Sequence, residues 1–172
     1  IYKSDDGGET WQALGLAETH HTGRIILHPD DPQTAWVAAL GHLYSYNEER
    51  GVYKTTDGGQ NWRKTLFVDD TTGVVDLILD PNDSNTLYAA AWHRVRFAWH
   101  FVGSGAGSGI YKSTDGGENW TLQTTPESGF PTGGGVGRIG LDIFTGDGTL
   151  YALLDNQARR PRSDDTDESL SK

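Results

Sequence analysis

Asp6, Asp57 and Asp115 stand in one repeated setting, [Ser/Thr]-x-Asp-x-Gly-x-[Thr/Asn]-Trp. The copies are Ser4-Asp5-Asp6-Gly7-Gly8-Glu9-Thr10-Trp11, Thr55-Thr56-Asp57-Gly58-Gly59-Gln60-Asn61-Trp62 and Ser113-Thr114-Asp115-Gly116-Gly117-Glu118-Asn119-Trp120. Carboxylates repeated in register suggest a calcium loop or a catalytic acid. A calcium loop needs several carboxylates at alternating positions, and only the first copy carries even a second Asp. A catalytic acid needs a free carboxyl, whereas an Asp placed just before Gly-Gly can accept backbone N–H groups two or three residues on. Gly-Gly supplies the positive φ of a tight hairpin with a bulge, and the Trp opens the returning strand. Ser4, Asp6, Gly8 and Trp11, with Thr55, Asp57, Gly59 and Trp62 and with Ser113, Asp115, Gly117 and Trp120, therefore read as structural hairpin tips.

The remaining reactive side chains fall between these hairpins. Glycoside hydrolysis needs two carboxyl groups facing across a cleft, roughly 5 to 9.5 Å apart. Glu48, Glu49, Asp69, Asp70, Asp76 and Asp155 are the candidates, with Glu48, Glu49 and Asp76 the ones carried forward as catalytic. Nothing in the spacing singles out a pair. His42, Arg50, His93, Arg94, Arg96 and Trp99 are candidate ligand contacts. No metal site is expected, because His20-His21 is the one close histidine pair and adjacent strand residues point to opposite sides. Trp92, Trp99 and Phe101 suit stacking on sugar rings, or closing a gap between sheets.

These residues must be positioned by a repeating β architecture. The hairpin Asp recurs 51 and then 58 residues later, close to the length of a four-stranded propeller blade. The intervals read alike. Trp11 to Leu14 is a strand; Gly23 to His28 is another, apolar enough for burial on both faces. Turn residues Pro29 to Gln33 precede a strand from Ala35 to Leu40. Loop 41–51 leads to Val52 and the next hairpin. The second unit repeats this, with strands at Trp62 to Val68, Val74 to Leu79 and Leu87 to Trp92 and a long loop 93–109. After the third hairpin, a Gly-rich link leads to strands at Arg138 to Ile143 and Thr149 to Leu154. No helical period is present. The fold class is all-β: a propeller fragment of about three four-stranded blades, made of an outer strand pair, two full blades and an inner pair. Open at both ends, it is expected to expose a flat apolar side on its first and last blades. Residues 1–155 form the partial propeller and 156–172 a polar, flexible loop or tail. The tail's Arg159, Arg160 and Arg162 sit beside an acidic stretch, which opposes a nucleic-acid reading.

Strands of a blade alternate in direction, so the hairpins lie at one end and the other connections at the opposite end. All the candidate ligand contacts fall at that second end, where loops on a rigid frame usually carry binding residues. Aligning the innermost strands on their following turns brings Arg24, Asp76 and Arg138 to equivalent positions at the rim of the central channel. They fit an Arg–Asp–Arg ion-pair ring between blades, or a polar ligand at the channel mouth.

Composition sets further bounds. The net charge is −10 with a pI of about 4.8, which argues against a nucleic-acid partner. With no Cys, disulfide and thiol chemistry are excluded. No apolar run reaches the length of a membrane span. The chain has no Met and Ile1 opens inside a repeat, so it reads as a piece of a longer protein whose remaining blades are its nearest partners.

The repeated turn resembles the Asp-box, or BNR repeat, of sialidase-type propellers, xyloglucanase-type glycoside hydrolases and the Vps10/sortilin ectodomain. Ala38 to His42, Asn47 to Gly59 and Ser108 to Ser113 look most similar to bacterial Vps10/sortilin-like proteins. The resemblance runs to about Asp155. It implies an extracellular or periplasmic location and a binding scaffold for peptide, protein or glycan ligands on the loop face, without a cofactor. The alternative it implies is a hydrolase acting on a polysaccharide. Sialidase-like propellers hold a substrate carboxylate with arginines from separate blades; here the middle position is Asp76, a departure from that pattern.

Overall fold

The structure is a computed structural model that describes residues 1–158; the arginines and acidic residues of the tail lie outside them. Two strands, β1 (Tyr2–Lys3) and β2 (Gln12–Ala13), pair around the first hairpin. A complete blade follows in the order β3 (His21–Leu27), β4 (Ala35–Gly41), β5 (Gly51–Thr55), β6 (Arg63–Leu66). The second complete blade runs β7 (Thr72–Asp80), β8 (Asp83–His93), β11 (Gly109–Ser113), β12 (Thr121–Leu122). Between β8 and β11 is a small separate hairpin, β9 (Val95–Arg96) and β10 (Phe101–Val102). The last pair is β13 (Val136–Ile143) with β14 (Leu150–Asn156). All named pairings are antiparallel. This is a partial β-propeller: an outer pair, two full blades and an inner pair, as the repeat spacing implies.

The core lies between the blades. Trp36, Ala38, Val52 and Leu66 of the first blade pack on Val74, Leu77, Leu87 and Ala89 of the second. Leu40, Val75, Ile78, Ala90 and Ile110 in turn meet Val136, Ile139 and Leu141 of the last pair. Every residue of β4 is buried, and its alanines let neighbouring sheets approach closely. Full burial of each large aliphatic side chain contributes about 1.5–3 kcal/mol. Strand β3 departs from expectation. Its composition predicts burial on both faces, yet Ile25 and Leu27 are 48% and 63% exposed. The blade before it contributes only β1 and β2, which leave that face uncovered. Tyr151 and Leu153 are similarly exposed on β14, so both outer sides carry the apolar surface expected of an open fragment.

Each Asp hairpin is a closed hydrogen-bond unit. The Ser113 hydroxyl donates to Asp115 Oδ1 (2.8 Å) and accepts the Gly117 N–H (2.9 Å). Asp115 also accepts the Asn119 N–H (2.9 Å) and side-chain amide (2.7 Å). Asp57 repeats the pattern with Thr55 and Asn61, and Asp6 with Ser4 and Thr10. The aspartates are thus committed acceptors. The tips also join blades. The Trp36 indole N–H donates to Gly116 O (2.9 Å) and the Trp62 indole to Leu14 O (2.7 Å). Gly58 N–H donates to Gln33 O and Gly116 N–H to Asn85 O, which fixes the hairpins at the same end as the β3–β4 and β7–β8 turns.

Candidate ligand-binding face

At the opposite end the connections are tied into one surface, and Arg50 does the tying. Its guanidinium donates from Nη2 to His42 O (2.8 Å) and Ser45 O (3.3 Å), and from Nη1 to Thr71 O (3.2 Å) and Arg94 O (3.1 Å). It therefore joins the β4–β5 loop to the β6–β7 link and to the chain entering β9. Burial lowers its pKa, the Arg94 charge lowers it further, and Asp69 and Asp70 oppose both; an arginine stays a cation through such shifts. Arg50 was expected to meet ligand. It is instead 1% exposed and fastens the loops from inside. Backbone bonds continue the seam: Asn47 N–H to Asp70 O, Arg94 N–H to Thr71 O and Arg96 N–H to Leu43 O.

His42 and His93 are held by contacts within the protein. The His42 ring stacks on His20 with centroids 3.8 Å apart. Its Nε2 faces Glu18 O at 2.9 Å; a carbonyl only accepts, so Nε2 carries the proton. His93 Nδ1 lies 3.1 Å from the Thr71 hydroxyl, which itself donates to Asp69 Oδ1 (2.6 Å). The sequence His93 Nδ1–H, Thr71 Oγ1–H, Asp69 is thus fixed by the carboxylate at its end. Burial alone would raise the Asp69 carboxyl, but hydrogen bonds from Thr71 and Thr72 outweigh it and hold it below its ordinary value. Among the described residues, no group of three or more His, Cys, Asp or Glu side chains is arranged to hold a metal ion.

Arg24, Asp76 and Arg138 occupy equivalent places, and a local irregularity explains how. The register of each innermost strand shifts just there: between Thr22 and Arg24, between Val74 and Asp76, and between Val136 and Ile139. An extra residue in one strand bends it and re-aims side chains. Arg24 pairs with Asp76 at 3.8 Å. Asp76 also accepts the Leu77 N–H (3.0 Å) on Oδ1 and the Leu141 N–H (2.9 Å) on Oδ2. The carboxylate therefore stitches β7 to β13, and each oxygen already accepts an amide. Arg138 joins no ion pair among the described residues, so the ring is closed on one side only. Arg138 lines an open cavity of about 510 Å³ with Gly140, Leu153, Leu154 and Asp155.

Glu48 is exposed and Glu49 half-buried; the Glu48 backbone carbonyl accepts from Lys64 Nζ. They are sequence neighbours, and neither side chain joins an ion pair among the described residues. The β9–β10 hairpin holds what the sequence reading missed. The sequence predicts a long loop over 93–109, whereas two short strands pair there around Phe97-Ala98-Trp99-His100. Backbone bonds between Phe97 and His100 close the tip. Trp99, 84% exposed, stacks on Phe97 at 5.6 Å and 16°, and Tyr46 meets Phe97 edge-on at 6.3 Å. In the same connection Arg96 lies over Phe101 (5.6 Å) and Arg94 over Trp92 (5.4 Å). Burial lowers the Arg94 pKa, and so does the Arg138 charge, which puts the two cations within each other's field. Tyr46 and Phe97 were not among the expected contacts. Their signal was the clustering of Tyr44, Tyr46, Phe97, Trp99 and Phe101 in two neighbouring connections.

No helix of the described residues is long and apolar enough to cross a membrane. Xyloglucanase Xgh74A of Acetivibrio thermocellus is 27% identical over 143 residues, 74% of this chain and 15% of that protein. Photosystem II assembly lipoprotein Ycf48 of Synechococcus sp. (strain CC9902) is 29% identical over 131 residues, 75% of this chain and 32% of its own. The chain thus spans less than a third of the curated relatives' lengths. Among solved structures, the GH74 xyloglucanase from Xanthomonas campestris aligns over 79% of this chain and 19% of its own, with a TM-score of 0.51 at 17% identity, a likeness of fold. The family model Sortilin-Vps10 (sortilin, neurotensin receptor 3) matches residues 1–130, and the chain belongs to that family.

Proposed function

We propose that this chain is the ligand-binding part of a Vps10/sortilin-type propeller and works as a scaffold for peptide, protein or glycan ligands at its loop end. The observation that carries this reading is the β9–β10 hairpin. It holds an exposed Trp99 on a stacked Phe97, with two ring-backed guanidinium groups beside it. The Arg50 fastening beneath reduces the ordering that binding must cost. The proposal places the protein outside the cytoplasm, and places the remaining blades of the same protein against the exposed faces of β3 and β14.

Hydrolysis of a polysaccharide is the second reading, favoured by the xyloglucanase relative and by a platform suited to sugar rings. Against it stand Asp69 and Asp76, whose oxygens already accept hydrogen bonds, and the adjacency of Glu48 and Glu49. A single experiment separates the two. The intact protein is incubated with xyloglucan and other plant or bacterial glycans, and both retained ligand and released reducing sugar are measured. Retention without release supports the scaffold. Release that is lost in Glu48→Gln or Glu49→Gln defeats it.

A further inference from the structure

We infer that the β9–β10 hairpin is a binding site for carboxylate-bearing glycans, chains containing uronic acid units. This rests on the ligand-binding reading above and names its ligand class. Two kinds of surface are carried by the hairpin and the residue that leads into it. One is flat and apolar: the outward face of Trp99, held parallel to Phe97 at 16° and braced edge-on by Tyr46. The other is cationic: Arg96 and Arg94, each laid over an aromatic ring, with Arg138 close enough to depress Arg94. None of the three arginines pairs with a carboxylate among the described residues. This is notable in a chain of net charge −10, where acidic partners are abundant and Lys3, Lys54 and Arg63 each find one.

Arginines that are ring-stacked and unpaired keep the edge of the guanidinium open, and that edge matches a carboxylate in bidentate geometry. A uronic acid unit presents an apolar ring face and a carboxylate on one rigid frame. It can meet the platform and an arginine together without ordering separate side chains. An acidic peptide would have to immobilise an aromatic or aliphatic residue and a carboxylate independently. A neutral glycan would leave the arginines unused.

The test is calorimetric titration of the intact protein with oligogalacturonate, with the same oligomers methyl-esterified, with neutral xyloglucan oligosaccharides and with a poly-glutamate peptide. Oligogalacturonate is expected to bind. Esterification should weaken it about tenfold or more, the scale of one lost charge-assisted contact. Trp99→Ala should weaken it at unchanged folding, as its side chain is almost wholly exposed. Arg96→Gln should weaken it and flatten its dependence on salt. Equal affinity for the esterified or neutral oligomers overturns the inference, as does unchanged affinity in Trp99→Ala. Binding of the peptide but not the uronate overturns it while the scaffold reading stands. Binding of none of these probes overturns the inference, and a screen of protein ligands then decides the scaffold separately.

Discussion

Replacing Arg50 with Met keeps an unbranched stem of similar length and removes only the charged head. Four carbonyls lose a donor: His42, Ser45, Thr71 and Arg94. They are not equally exposed to the loss. His42 O and Ser45 O still face the Asn47 side-chain amide, at 3.4 and 2.9 Å. Thr71 O still accepts the Arg94 N–H. Only Arg94 O has no second donor among the described residues. One orphaned carbonyl costs about 1–3 kcal/mol, and each net bond to a charged donor is worth about 1.5–3 kcal/mol before the ion's own desolvation is returned. Removing a buried ion also relieves a penalty of several kcal/mol, which offsets most of the bonds that have substitutes. The sum is a destabilisation of about 2–4 kcal/mol, set mainly by Arg94 O and by loosening of the loops. Urea unfolding of the intact protein measures it, and amide hydrogen exchange locates it. Protection should fall at Asn47, Arg94 and Arg96, whose N–H groups cross the seam, and hold at Gly58 and Gly116 at the other end. Stability within about 0.5 kcal/mol of the parent, the range of an uninvolved surface change, would refute the fastening role, and so would uniform loss of protection.

Two further outcomes concern the hairpins. Gly117→Ala puts a methyl 2.6 Å from the Trp36 indole nitrogen at φ +80°, whereas Gly133→Ala, at φ +88°, meets nothing within 4 Å. Both bear the left-handed backbone cost of about 1–2 kcal/mol, so paired denaturation curves should show Gly117→Ala worse by a further ~1 kcal/mol or more from overpacking. Hydrogen bonds, first from the Asn61 backbone, lower the Asp57 carboxyl from 3.8 to about 2, and Asp6 and Asp115 shift the same way. A folded-state pKa below the unfolded one means the contribution is whole above about pH 4 and fades as pH falls toward 2. Stability measured across that window should drop less steeply in an Asp57→Asn, Asp115→Asn double variant; an unchanged slope counts against the assignment.

The parts of the fold legible from sequence were those whose signal is local. Ser113-x-Asp115-x-Gly117-x-Asn119-Trp120 contains within eight residues every partner that closes its turn, so the tip can be read without knowing what surrounds it. Strand order then follows from repetition. Arg50 was legible only as a charged loop residue, because its acceptors at Thr71 and Arg94 lie far along the chain and become neighbours only when two blades pack. Asp76 was aligned correctly with Arg24 and Arg138, yet its bond to the Leu141 amide depends on a strand of the next blade. The exposure of β3 was misjudged for a related reason. Ile25, Ile26 and Leu27 carry the composition of a strand covered on both sides, and composition cannot say whether the cover is in the same piece of chain.

This division between local and distant signals also bears on function. What repeats from blade to blade is what blades need: hairpin tip, buried middle strands, bulged inner strand. A ligand does not need repetition, and its contacts should sit where the second blade departs from the first. The departure is the β9–β10 hairpin, for which the first blade has only the simpler loop holding Tyr46 and Arg50. That loop supports the hairpin from below, through Arg50 to Arg94 O, Leu43 O to Arg96 N–H and Tyr46 against Phe97. The repeated frame thus supplies stiffness, and the unrepeated insertion supplies the aromatic and cationic surface. Trp99 is therefore a better first target for mutation than any of the repeated aspartates.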